Sequence, residues 1–462
     1  MSEAVDLLIE RAARVLFATP GTAEPGGTRP TGTLHSGSSP KSTLAEEPLS
    51  GETSIAISGD TIRAIGPANE IAGRFHARKT LDAGGRLVTP GLVDSHTHLV
   101  FAGDRSREFE MRCQGADYEE IAAAGGGIRA SVRATRAASE DELFDLALPR
   151  LERMLASGST TIEIKSGYGL DLETELRMLR VARRLDESTP AQVVATFMGA
   201  HEFPDDFRDR RDEYVDEVCD RMIPAVVEEG LAEFCDVFCE RGVFTPEQAK
   251  RVLETGKAAG LRPKIHADEM AATGGSEVAA SVGAVSADHL MYTPDASIEA
   301  MREAGVVATV LPGTTFYLGK PQYAPARRML DAGLEVALAT DRNPGSCTIE
   351  SLVFLIGLSC LKLGLRPLEA FRAATYAGAR ALGREDRCGQ LAPGMRADCV
   401  IWDAPHEGRI CYEFENRLPR TVIAGGQVIA GEDLTATEVG VDGRSTTPVS
   451  GPAGESQGCP NS

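Results

Sequence analysis

His96 and His98 stand two apart at the end of an apolar, β-rich run, Arg86 to Val93, that stops at Asp94. Side chains at i and i+2 of a strand project on one side, so both imidazoles can reach a single metal ion at the strand end. The turn-prone Ala102-Gly103-Asp104 follows, and Arg105 then offers a guanidinium a short way off. The types and spacing suit a metal site with an anion clamp beside it. A His-x-His pair by itself is only two polar side chains on one strand face, so the surrounding elements have to decide.

From Leu87 onward, β-branched apolar runs alternate with helical patterns, the mark of repeated βα units. The runs are Leu87 to His96, Thr160 to Lys165, Gln192 to Met198, Ala232 to Cys239, Pro263 to His266, Ala284 to Asp288, Val306 to Leu311 and Glu335 to Ala339. Between them, amphipathic stretches such as Glu140 to Ala156, Glu173 to Leu185, Tyr214 to Glu229, Pro246 to Ala259 and Ala296 to Ala304 are long enough for crossover helices. Eight such strands predict a (β/α)8 TIM barrel, and barrel enzymes place their chemistry at the C-terminal strand ends. Five of the eight His fall there: His96, His98, His201, His266 and His289. Asp341 closes the eighth run, followed by Arg342-Asn343-Pro344-Gly345. Chance scatters side chains and does not gather them on one face.

The chain has 462 residues, enough for an α/β barrel of about 250 and a smaller companion. Its 48 Lys and Arg against 68 Asp and Glu leave a charge of -20 without a long basic run. That excludes nucleic acid and an anionic membrane as expected partners and favours a small molecule. No leader of signal-peptide character and no membrane span is read, so a cytoplasmic enzyme is expected. The ten Cys lack paired CxxC spacing and several lie in apolar runs, as reduced core thiols do.

Strands around Val5 to Phe17, Ser54 to Ile57 and Thr61 to Ile65, the last two joined by Gly59-Asp60, predict a small β-sheet before the barrel. Further strands after Gly389, at Ala397 to Trp402 and Thr421 to Ile429, cannot continue a closed barrel and are expected to join that sheet. The division expected is residues 1–86 and 389–431 for a composite β-sandwich built from both chain ends, and 87–388 for the barrel. Segment 19–50, rich in Gly, Pro, Ser and Thr, is expected to be a disordered insertion, and 432–462 a disordered tail.

With those motifs in view, the sequence resembles the amidohydrolase superfamily: His-x-His after the first barrel strand, His at the fifth and sixth, Asp at the eighth. Within it, several strings are similar to those of the imidazolonepropionase family of histidine degradation. They are DSHTHLVFAGDRSREFEMR (Asp94 to Arg112), AGGGI (Ala124 to Ile128), EIKSGYGLDLETE (Glu163 to Glu175), GAHEFP (Gly199 to Pro204), HADE (His266 to Glu269), ADHL (Ala287 to Leu290) and ATDRNPGS (Ala339 to Ser346). The resemblance runs from about Val5 to Gly431, apart from the 19–50 segment.

The resemblance implies one divalent metal ion, Zn2+ or Fe2+, on His96, His98, His266 and Asp341. Two-metal relatives carry a carboxylated Lys after the fourth strand, where this chain reads Phe238-Cys239-Glu240-Arg241, so the site is expected to be mononuclear. Lys165, inside the second strand, reads as structural. Asp341, Glu269 and His289 are the implied proton-transfer residues, with an imidazole such as His201 or His289 beside the developing oxyanion. Arg105, Tyr168, His201, Glu269, Asn343, Gly345 and Ser346 are the implied substrate contacts. The implied reaction is hydrolysis of 4-imidazolone-5-propanoate to N-formimidoyl-L-glutamate. Barrels of this kind often pair, so a homodimer is left open.

Glu269 stands where family members can carry Gln, and Ser346 where Thr is common. The Gly125-Gly126-Gly127 run lacks the strand and the Lys-Ser/Thr of a phosphate loop and reads as a mobile loop near the site. Two other readings use the same ligands: a mononuclear aminohydrolase deaminating a heterocyclic ring, and a non-catalytic scaffold. The Arg105, Ser166 to Gly169, Gly199 to Pro204 and Asp341 to Gly345 set speaks against the first. The complete ligand set speaks against the second.

Overall fold

The computed structural model describes residues 2–17, 19, 21–22, 47–116, 120, 125–414 and 419–431. Six strands precede the barrel: β1 (Glu3–Val15), β2 (Gly21–Thr22), β3 (Leu49–Ser58), β4 (Thr61–Pro67), β5 (Phe75–Asp82) and β6 (Leu87–Pro90). Eight parallel strands make the barrel: β7 (Leu92–Asp94), β8 (Ser159–Lys165), β9 (Gln192–Ala200), β10 (Phe234–Cys239), β11 (Arg262–Ala267), β12 (Ser286–His289), β13 (Val307–Val310) and β14 (Val336–Leu338). After it come β15 (Cys399–Trp402), β16 (Pro419–Ala424) and β17 (Gln427–Gly431), which hydrogen-bond back onto the N-terminal strands as one nine-stranded mixed sheet.

β6 is the seam of that sheet. It runs parallel to β1, with Val15 opposite Val88, and antiparallel to β15, with Val400 opposite Thr89. Trp402 Nε1 donates to Thr89 Oγ1 at 2.9 Å across the seam. Leu7, Ile9, Ile55, Ile57, Ile62, Val88, Ile401 and Ile423 pack into one apolar layer drawn from both chain ends. Of the expected 19–50 insertion, residues 20 and 23–46 lie outside the described residues, while 21–22 form strand β2 and 49–50 open strand β3. The expected tail, 432–462, lies outside them as well.

The run Leu87 to His96, read from its apolar character as one strand, is divided between the two sheets. Pro90 has no N–H with which to continue a ladder. Gly91 N then bonds Asp398 O in the mixed sheet at 2.9 Å, and Leu92 N bonds Gly158 O in the barrel at 2.8 Å. The crossing is tight, because a Cβ on Gly91 would sit 2.0 Å from Thr160 Oγ1. Gly91→Ala is therefore expected to cost about 1–3 kcal/mol of stability by overpacking. Thermal melts should show the loss, and Thr160→Ala in the same chain should return part of it; an unchanged melt would mean that the crossing has slack.

Local signals start two of the long crossover helices. Ser139 and Glu142 form a capping box at the start of helix Glu140–Ala156, and Thr245 and Gln248 form another before Pro246–Ala258. The expected helix Tyr214 to Glu229 is broken into Arg211–Glu217 and Ile223–Glu228 by a π-turn, Val218–Met222. Pro224 supplies the reason, since it cannot donate to the preceding turn. Cys219, Cys235, Cys239, Cys347, Cys388, Cys399 and Cys411 are buried free thiols, while Cys459 lies outside the described residues. Among the described residues, no helix is long and apolar enough to cross a membrane.

Candidate active site

The barrel closes on itself at the residues expected to carry the chemistry. Thr340 donates from N and Oγ1 to the two oxygens of Asp94, at 3.0 and 2.7 Å. Asp341 N then bonds His96 O at 3.0 Å, and His98 N bonds Arg342 O at 2.9 Å. The hydrogen bonds that join the first strand to the eighth thus set His96, His98 and Asp341 side by side. His266 lies on β11 next to β12, where Ala267 pairs with His289. Asp268, His289 and Asp341 take left-handed backbone conformations, at φ 51°, 77° and 52°. For residues with a Cβ this costs about 1–3 kcal/mol each, a strain characteristic of functional strand ends.

His96, His98, His266, His289 and Asp341 are all buried. Single ligand atoms of His96, His98 and Asp341 lie within 4.8 Å of one another, as do those of His96, His266 and His289. His98 Nε2 is 3.3 Å from His266 Nε2, and His96 Nε2 is 3.6 Å from Asp341 Oδ1. The tautomers follow from what lies behind the rings. Asp288 Oδ2 accepts from His96 Nδ1 at 2.7 Å and Asp236 Oδ1 from His266 Nδ1 at 3.0 Å, so in both rings the Nε2 lone pair faces inward. Burial, followed by Lys165 and neighbouring imidazoles, holds His96 well below the ordinary imidazole range. Burial likewise lowers His98 and His266.

This donor set fits a divalent cation. His96 Nε2 is buried without a hydrogen-bond partner, and neutral imidazoles backed by carboxylates are what such an ion takes as ligands. Burial raises Asp341 to about 6. Its Oδ2 accepts a 2.5 Å hydrogen bond from Thr314 Oγ1, leaving Oδ1 turned toward His96. Thr314, in the short helix Pro312–Tyr317 after β13, carries no motif and was not legible as a site residue. Thr314→Val is expected to lower kcat about 10-fold or more by loosening that carboxylate, with Thr314→Ser retaining most of the rate. Steady-state kinetics on the two variants check this, and equal rates would remove Thr314 from the site.

The expected substrate residues divide into two groups. Tyr168 is buried with its ring 5.8 Å from His98 and 5.4 Å from His201, and His201 stacks on His98 at 4.9 Å. His201 Nδ1 meets Gly167 O at 2.9 Å, so it carries the proton and Nε2 is an acceptor. Glu269 Oε2 is 3.7 Å from His289 Nδ1. Arg105 gives Nε and Nη2 to Glu108 Oε2, at 2.9 and 2.7 Å, and lays Nη1 over Gly345. Glu108 also accepts from Gly127 N at 2.9 Å, which ties the glycine run to the Arg105 clamp.

Asn343, Gly345 and Ser346 behave differently. Asn343 Oδ1 accepts from Gly345 N at 2.8 Å and Ser346 N at 2.7 Å, while Nδ2 donates to Asp341 O and Ser346 Oγ, each at 2.8 Å. The Asn343 amide is occupied in shaping its own loop. Gly345 makes room, since a Cβ there would fall 2.0 Å from Arg105 Nη1. Glu175 closes the Glu163 to Glu175 string. Its buried carboxylate accepts from Gly167, Gly169 and Leu170 N, at 3.0, 2.7 and 2.9 Å, and folds the loop that presents Tyr168.

An eight-stranded barrel with a second sheet from both chain ends and a convergent His and Asp cluster defines an amidohydrolase. The family model described as "Amidohydrolase family" matches residues 87–429, and the chain belongs to that family. Within it, the chain is 51% identical to the imidazolonepropionase of Geobacillus kaustophilus (strain HTA426) over 82% of this chain and 90% of the relative. It is 48% identical to that of Brevibacillus brevis over 83% and 91%. It is therefore a hydrolase of the imidazolonepropionase family, the family of histidine degradation. The fold is shared with a 5-methylcytosine deaminase from Klebsiella pneumoniae, at TM-score 0.67, 16% identity and coverage of 92% and 98%. An adenosine deaminase from Xanthomonas campestris with bound zinc aligns at TM-score 0.61 and 19% identity, over 93% of each chain.

Proposed function

We propose that the chain hydrolyses 4-imidazolone-5-propanoate to N-formimidoyl-L-glutamate. The observation that carries this reading is the Arg105 guanidinium, held by Glu108 with Nη1 over Gly345 in the loop after Asp341, and close enough to Tyr168 to act on it electrostatically. It is the group a propanoate carboxylate requires next to a hydrolytic centre. One divalent ion, Zn2+ or Fe2+, would be held by His96, His98, His266 and Asp341, with His289 close by. The chemistry such an ion supplies when bound is acidification of water and polarisation of a carbonyl.

The chain's own residues account for the rest. Water oxygen adds to the ring carbonyl carbon, the lactam C–N bond breaks, and the departing nitrogen takes a proton. Asp341 Oδ1 is placed to accept the proton from water, and Glu269 with His289 to deliver one to the nitrogen. His201, with Nε2 as acceptor, suits a ring N–H, which leaves contact with the developing oxyanion to His289. Tyr168 and Arg105 bind and orient, and Asn343 and Ser346 shape the loop that accompanies Arg105. We place the enzyme in the cytoplasm with a small molecule as its partner, alone or as a homodimer.

A spectrophotometric assay of imidazolone propanoate loss by metal-replete protein tests the reading. Turnover with formation of N-formimidoyl-L-glutamate is expected. Inertness toward this substrate together with ammonia release from a ring amine would overturn it in favour of a deaminase.

A further inference from the structure

Below the histidines lies a cluster the reaction does not use directly. Glu163 and Lys165 on β8, Asp236 on β10, Lys264 on β11 and Asp288 on β12 are all at 0% exposure. Burying five charges is costly unless each is paired, so the pairing pattern carries information. Lys165 Nζ lies 2.6 Å from Asp236 Oδ2, 3.3 Å from Asp288 Oδ2 and 3.1 Å from Glu163. The same two aspartates accept from His266 Nδ1 at 3.0 Å and from His96 Nδ1 at 2.7 Å. Lys264 is engaged differently: its Nζ donates to Glu163 Oε2 at 2.8 Å and to Ser95 O at 3.2 Å.

We infer that Lys165 is a positioning residue of the metal centre, joining Asp236 and Asp288 under one ammonium and so fixing His266 and His96 as a matched pair of ligands. The inference rests on the ligand set proposed above. Two carboxylates meeting in a closed interior need a common partner, and the Lys165 ammonium, 2.6 Å from Asp236 Oδ2 and 3.3 Å from Asp288 Oδ2, holds both in place as acceptors for the imidazole N–H groups. The orientation of each ring, and with it the direction of each Nε2 lone pair, then depends on one side chain that never reaches the metal. Partners of this kind typically govern affinity 10- to 100-fold, roughly, through ligand orientation and basicity.

The test uses the full-length chain, stripped of metal and reloaded with Co2+, whose d–d absorption reports ligand geometry. Affinity is read by competition with a chelator, and folding by circular dichroism. Lys165→Met is expected to weaken Co2+ binding about 10- to 100-fold and to change the absorption envelope. Lys264→Met, an equal loss of buried charge in the same cluster, is expected to keep the wild-type envelope. Equal effects of the two variants, or unchanged Co2+ binding by folded Lys165→Met, would overturn the inference. Should Lys165→Met not fold, Asp288→Asn carries the test. It keeps an acceptor for His96 but no charge for Lys165, so a loss of about tenfold with an altered envelope supports the assignment and wild-type behaviour overturns it. Wild-type protein that takes up no Co2+ would instead overturn the ligand set itself.

Discussion

Replacing Asp341 with Asn is expected to lower kcat by about 10²–10⁴-fold with little change in KM, the range associated with loss of a positioned proton acceptor. The substitution keeps the shape of the side chain, and its backbone N–H still closes the barrel against His96 O. What it removes is the acceptor at Oδ1, the oxygen turned toward His96 Nε2, while the other oxygen is committed to Thr314. Metal content measured on the same preparation separates the two duties proposed for this residue. A variant that retains metal and loses turnover assigns Asp341 the proton; one that loses both assigns it the ion. Activity within a few-fold of wild type would remove Asp341 from the mechanism.

The second large effect is expected at Arg105. Arg105→Ala should raise KM for imidazolone propanoate about 30- to 100-fold, the equivalent of a charge-assisted pair worth about 2–3 kcal/mol, with kcat changing less. Gly345→Ala should reproduce much of that effect without touching the guanidinium chemically. Its Cβ would lie 2.0 Å from Arg105 Nη1 and 2.6 Å from Cζ, so the flexible end of the arginine must move aside while the fold persists. A large KM effect in both variants shows that Gly345 acts through Arg105. Normal KM in Gly345→Ala beside a damaged Arg105→Ala would make Gly345 a bystander. A normal KM in both would mean that the carboxylate is bound elsewhere.

Much of the site was legible because its elements repeat a short rule. Strand alternation places Lys264 with His266 on one face, and barrel topology sends each strand's C-terminal end to the same rim; His96 and His98, expected inside a strand, stand just past its end at Asp94, held there by the bridge between Thr97 and Arg342. Polar or charged residues at alternate positions of apolar strands, in Glu163-Ile164-Lys165 and Ser286-Ala287-Asp288, mark side chains aimed into the barrel. That signal was present, but it names no partners. Thr314 gave no signal at all, being one hydroxyl in a short helix whose importance lies only in what stands opposite. Asn343 shows the reverse: its place in a motif marks it as a substrate contact, while only the structure shows that its amide also bonds Asp341 O and Gly345 N.

The sequence by itself determined the period of the strands, the amphipathic helices between them, the family and the residues whose chemistry could bind metal and carboxylate. These depend on local sterics and on side-chain type, which act over a few residues. Only the tertiary structure decided which oxygen of Asp341 faces His96, which aspartate stands behind which histidine, and why Gly345 must lack a side chain. Those pairings cross large sequence distances, as when Thr340 reaches Asp94 246 residues away. They are set by barrel closure and by the shortage of partners for charge in a dry interior, neither of which is a property of any local stretch.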